Sequence, residues 1–101
     1  MIKHVVLFKL AAFAEGNSKQ ENALYLKEQL ENLESFIPEL IKMEVVLNIP
    51  NVSDLNYDLM LIAEFKNLQD LDIYINQPEH AKVGSFLSKV RTDRAAIDYQ
   101  L

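Results

Sequence analysis

Residues 2–10, IKHVVLFKL, and residues 57–65, YDLMLIAEF, carry apolar side chains on both parities, and this decides the fold. In the first stretch Ile2, Val6 and Phe8 share one side, with Val5 and Leu7 on the other. In the second, Tyr57, Leu59, Leu61 and Phe65 oppose Met60 and Ile62. Both runs are too short for an ordinary helix and rich in strand-forming residues, so they read as strands. A strand that is apolar on both sides needs cover on both faces of its sheet.

The intervening chain alternates between the two periodicities. Gly16-Asn17 turns the chain, and Ser18 with Glu21 has the spacing of a capping box. Ala23, Leu26, Leu30, Leu33 and Ile37 then form one stripe of an amphipathic helix, which Pro38 ends. Residues 40–49, LIKMEVVLNI, read as a strand closed by Pro50, followed by the loop NVSDLN. Asn67 opens a short helix carrying Leu71 and Tyr74, and Pro78 suits the first turn of another, striped by Val83, Phe86, Leu87 and Val90. The tail RAAIDYQL is a last strand. The order β-α-β-β-α(α)-β is an α+β, ferredoxin-like split βαβ arrangement, filling residues 1–101 as one domain.

In that arrangement the helices cover one face of the sheet and leave the other bare. A contiguous apolar face is an aggregation liability on a monomer. A homodimer packed sheet against sheet is the economical cover, and a monomer with a greasy sheet is the alternative.

Composition narrows the function classes. Ten basic against fifteen acidic side chains give a net charge of −5, which disfavours nucleic acid and anionic membrane as partners. The chain has no cysteine, hence no disulfide, no thiolate nucleophile and no cysteine-held metal, and a reducing cytoplasm fits. The N-terminal MIKHVVLFKLAAFAE ends in a small-x-small triplet, but Lys9 interrupts its apolar run, so a secretory signal is not expected. No apolar run is long enough for a membrane span. The chain offers no Gly-rich phosphate loop, and its two histidines, His4 and His80, lack metal-ligand spacing with Glu79 or Asp58. No metal or cofactor is expected. The glutamates of the first helix, Glu28, Glu31 and Glu34, read as a solvated face.

Three residues stand out as site candidates. His80 lies in the first turn of the helix opened by Pro78, where the helix dipole favours the neutral imidazole that a general base needs. The plain alternative is a histidine that fills space and bonds a carbonyl. Tyr74 precedes it by six residues, and the bend at Asn76-Gln77-Pro78 lets both converge on one cavity. Its hydroxyl is then either a donor to a carbonyl oxygen gaining charge or the rim of a core aromatic. His4 is a polar group in the apolar row of Ile2, Val6 and Phe8. It is a ligand-orienting group of a pocket or a satisfied histidine closing the buried part of the strand.

MIKHVVLFKL, FIPEL, YDLMLIAEF, LQDLDIYINQPEHAKVGSF and RAAIDYQ, in this order, resemble the stress-responsive dimeric α/β-barrel (Dabb) domain family almost from end to end. The resemblance implies two ferredoxin-like subunits that close their sheets into a shared barrel. Most members have no assigned reaction, and one plant member closes a polyketide ring by aldol chemistry. In that cyclase a tyrosine and a histidine form the catalytic pair, and Tyr74 and His80 match both positions; the family likewise places a histidine at His4. The chain departs from the pattern at Gln77, where members often have histidine. It also has Leu59 and Leu30 where the cyclase has a pocket histidine and tyrosine. The expectation is a small-molecule pocket for an apolar or carbonyl ligand, with a cofactor-independent lyase or cyclase as the alternative.

Overall fold

The computed structural model of the chain describes residues 1–101. β1 (Ile2–Leu10) leads through a small hairpin, β2 (Phe13–Ala14) and β3 (Asn17–Ser18), into α1 (Lys19–Asn32) and a single 3-10 turn at Leu33–Ser35. β4 (Lys42–Leu47), β5 (Leu59–Phe65), α2 (Leu68–Ile75), α3 (Pro78–Val90) and β6 (Arg91–Gln100) follow. The four long strands make one antiparallel sheet in the order β4-β5-β1-β6. This is the ferredoxin-like α+β fold that the pattern predicts.

The helix starts follow their sequence signals. Ser18 Oγ accepts from the Glu21 amide at 3.2 Å while the Ser18 amide donates to Glu21 Oε1 at 2.9 Å. Asn67 caps α2 through the Asp70 amide, and Pro78 opens α3.

Register assigns the two apolar parities. Val6, Phe8 and Leu10 of β1, with Leu59, Leu61 and Phe65 of β5, lie buried beneath the helices. They belong to a core of 20 buried residues that also takes Leu26 and Leu30 from α1 and Leu87 from α3. On the opposite side the strands align the rows Val46–Met60–Leu7–Ala95 and Glu44–Ile62–Val5–Ile97. No helix covers this band. It is bounded by the polar row Lys42–Glu64–Lys3–Tyr99.

The structure corrects several boundaries. The turn at Gly16 is a two-residue hairpin whose central residues, Glu15 and Gly16, have φ of 52° and 79°. That is the pair of positive φ values of a type I′ turn, which glutamate seldom opens. α1 ends at Asn32, and the Leu33 amide is shared between the Glu31 and Leu30 carbonyls as the helix tightens. The strand expected over 40–49 keeps only Lys42–Leu47, because the chain leaves the ladder for a loop turned by Asn51 at φ 64°. β5 starts two residues late, at Leu59, and β6 starts early, because Arg91 is already extended straight after Val90.

The glutamate face of α1 is not wholly solvated. Glu31 Oε2 accepts from the Val45 amide at 3.1 Å and from Lys27 Nζ at 3.0 Å, and Lys27 also donates to the Val45 carbonyl. β4 is a sheet edge, so this pair occupies backbone groups that would otherwise template another strand.

Candidate functional site

The site lies between the sheet and the start of α3. Tyr74 lies in the last turn of α2, the chain bends at Asn76-Gln77, and Pro78 fixes the first turn of α3 so that His80 turns back towards Tyr74. Their ring centroids are 4.5 Å apart, edge to face at 62°. From the sheet, His4 meets Tyr74 edge-on with centroids 6.4 Å apart, and Phe65 also packs against Tyr74 with centroids 5.0 Å apart. All three candidate residues line one cavity of about 180 Å³. Its apolar walls include Val6, Phe8, Leu30, Leu61, Val83 and Leu87.

The cavity tunes its polar groups. Burial lowers the His80 pKa, His4 adds in the same direction, and the Ile75 backbone opposes both. The imidazole is therefore neutral at pH 7, and desolvation, not the helix terminus, is the leading cause. Burial alone pushes the Tyr74 phenol far above its ordinary range, so it keeps its proton and can only donate or accept a hydrogen bond. His4 Nδ1 is bonded to Asp98 Oδ1 across the β1–β6 pair. A carboxylate on Nδ1 fixes the orientation of the ring. His4 is thus satisfied by the sheet and also lines the cavity.

A neutral base beside a protonated phenol can bind a carbonyl and can move a proton next to it. No group of three or more His, Cys, Asp or Glu side chains is placed to hold a metal ion. Of the family departures, Leu30 lines the cavity as an apolar wall, Leu59 lies in the core, and Gln77 precedes α3 without a side-chain cap bond.

Three participants escape a reading of the sequence. Asp98, Arg91 and Arg94 all come from β6, whose alternation is masked because nearly all its residues are exposed. The signal was in the pairing: Asp98 stands opposite His4 and Arg94 opposite Phe8, so both side chains share the helix-facing side.

The fold and the sequence both have relatives. A dimeric ferredoxin-like protein of unknown function from Bacteroides fragilis is 33% identical, with a TM-score of 0.83 over 99% of this chain and 95% of that one. A second dimeric ferredoxin-like protein, from Thermobifida fusca, is 21% identical with a TM-score of 0.80, covering 99% and 90% of the two chains. A hydroxynitrile lyase from Passiflora edulis has the same fold at 14% identity, with a TM-score of 0.77 over 97% and 90%. Comparison with curated proteins finds no match. The family model described as the stress responsive A/B barrel domain (Dabb) matches residues 2–101, and the chain belongs to that family.

Proposed function

We propose that the protein is a homodimer whose subunits each hold a small apolar or carbonyl-bearing ligand between sheet and helices. The observation that carries this reading is the convergence of Tyr74, His80 and His4 on one apolar cavity of about 180 Å³. A few polar groups aimed into an apolar pocket are the usual make-up of a ligand site. The dimer rests on the uncovered apolar band of Val5, Leu7, Met60 and Ile62 and on the dimeric state of the Bacteroides fragilis and Thermobifida fusca proteins. No helix is long and apolar enough to cross a membrane, and the cysteine-free composition supports a reducing cytoplasm as the compartment.

A second reading, cofactor-independent lyase or cyclase chemistry, is favoured by one observation. His80 is held neutral within ring contact of a phenol that stays protonated. His80 would take a proton next to a carbonyl while Tyr74 donates to the oxygen gaining charge. The hydroxynitrile lyase shares the fold and lends no more than that.

Thermal-shift titration with a panel of small aldehydes, ketones and aromatic compounds tests the binding reading. Stabilisation of the wild type that His80→Ala removes supports it. No stabilisation by any member, with His80→Ala itself strongly destabilised, makes the pair structural and defeats it.

A further inference from the structure

The sequence contains only two arginines, Arg91 and Arg94, and both line the Tyr74–His80 cavity. Three residues apart on a regular strand, they would point to opposite faces of the sheet. They do not, because the β1–β6 register shifts between them. The pairs run Phe8–Arg94, Lys9–Asp93 and Leu10–Arg91, leaving Thr92 as the extra residue of a bulge. Phe8 and Leu10 both face the helices, so the bulge brings the two guanidinium groups to the same side. Re-aiming a side chain at a site is a recognised use of such bulges.

Neither arginine takes part in any of the chain's ion pairs. Asp93, the acid between them, stands opposite Lys9 in the strand register, on the other side of the sheet, and accepts from the Tyr57 hydroxyl. Asp98, the acid on their own side, is taken by His4. In a chain of net charge −5, two unpaired guanidinium groups therefore converge at the exposed mouth of an apolar cavity.

Resting on the pocket reading above, we propose that the ligand is a small apolar monoacid. Its body fills the cavity against Leu61, Val83 and Leu87, and its carboxylate is held at the mouth by Arg91 and Arg94. The planar guanidinium fork matches a carboxylate, and the apolar walls exclude a polar body. Bound this way, the end of the ligand remote from its carboxylate lies towards the Tyr74 and His80 rings.

Calorimetric titration with two matched pairs, benzoate with benzamide and hexanoate with hexanamide, tests the proposal, with inorganic phosphate as a third arm. The acid should bind roughly tenfold more tightly than its amide, as expected for a charge-assisted hydrogen-bond pair, and added salt should narrow the gap. Arg94→Gln and Arg91→Gln should weaken the acid towards the amide and leave the amide unchanged. Arg94→Lys, which keeps the charge but loses the fork, should fall between. Both arginines are exposed, so these variants should fold, and their melting curves check it.

Equal binding of acid and amide, or an arginine variant that weakens both alike, overturns the proposal. If His80→Ala abolishes that equal binding, the pocket reading survives alone. Phosphate binding as tight as benzoate also overturns it, by making the arginines a general anion site. No binding by any probe defeats both readings.

Discussion

The Tyr74 and His80 rings meet edge to face with centroids 4.5 Å apart, across a bend of two residues between α2 and α3. Tyr74 is almost wholly buried, while His80 is only partly so. The phenol is therefore a fixed wall and the imidazole the group nearer the opening. This asymmetry separates what each substitution should do.

Protonation of His80 should be visible in stability. Its folded pKa lies below the ordinary 6.5, chiefly through burial. Between the folded pKa and 6.5 the unfolded chain binds more protons than the native one, so stability falls as pH drops through that window. Above it the group contributes no slope. Melting temperatures of wild type and His80→Gln from pH 8 to pH 5 should run parallel at the alkaline end. Below about 6.5 the wild type should lose stability faster. Parallel curves throughout would show that the imidazole is not desolvated in solution.

Tyr74 calls for two variants. Tyr74→Ala empties a large buried volume between Phe65 and His80 and should cost about 3–5 kcal/mol, enough to threaten folding. Tyr74→Phe removes only the hydroxyl, for which no protein group's hydrogen bond or charge shifts the pKa. Its melting temperature should stay within a degree or two of wild type, since no internal bond is lost. Affinity for a carbonyl ligand should nevertheless fall. A drop of several degrees would reveal a hydroxyl engaged within the fold.

Much of this architecture is legible in the sequence, for definite reasons. β1, β5 and α1 announce themselves because burial enforces period 2 or 3.6 on Val6, Phe8, Leu61, Leu26 and Leu30. The bend that joins Tyr74 to His80 is legible through Pro78, whose fixed φ suits a helix start. β6 is different. Its residues are nearly all exposed, so no apolar alternation marks the bulge at Thr92, and only pairing with β1 shows where Arg91, Arg94 and Asp98 point. Gly16 announces the turn before α1 but not its exact place, since one of the hairpin's two positive-φ positions is held by a glutamate.

The Lys27–Glu31 pair on the edge of β4 should matter more than a surface ion pair. Glu31 is held ionised below its ordinary pKa: burial opposes this, but Lys27 and the Val45 amide outweigh it. Glu31→Ala frees both the amide and the lysine. The loss of one bond to a charged acceptor, reduced for partial exposure, is about 1 kcal/mol, or some 4–8 °C in a domain this size. Because the freed Val45 amide belongs to an edge strand, the variant should also aggregate faster on heating. An unchanged melting temperature and aggregation rate would reduce the pair to a surface contact.

The open side of the sheet gives the sharpest contrast between neighbouring residues. Met60 stands in the row Val46–Met60–Leu7–Ala95 on the uncovered face, whereas Leu61, one residue on, is 4% exposed beneath the helices. A lysine at each position therefore tests two different structures. Met60→Lys puts a charge into the proposed dimer interface without touching the subunit core. An interface of this kind buries at least ~1,000 Å² in total, and an unpaired charge at its centre should dissociate it. Light scattering should give dimer mass for the wild type and 11.6 kDa for the variant at micromolar concentration, with far-UV dichroism preserved. The bared apolar face should make that monomer prone to precipitate as concentration rises. Leu61→Lys buries the charge in the core of each subunit and should abolish folding rather than assembly. A Met60→Lys protein that stays dimeric and as soluble as the wild type would mean that the two sheets do not face one another.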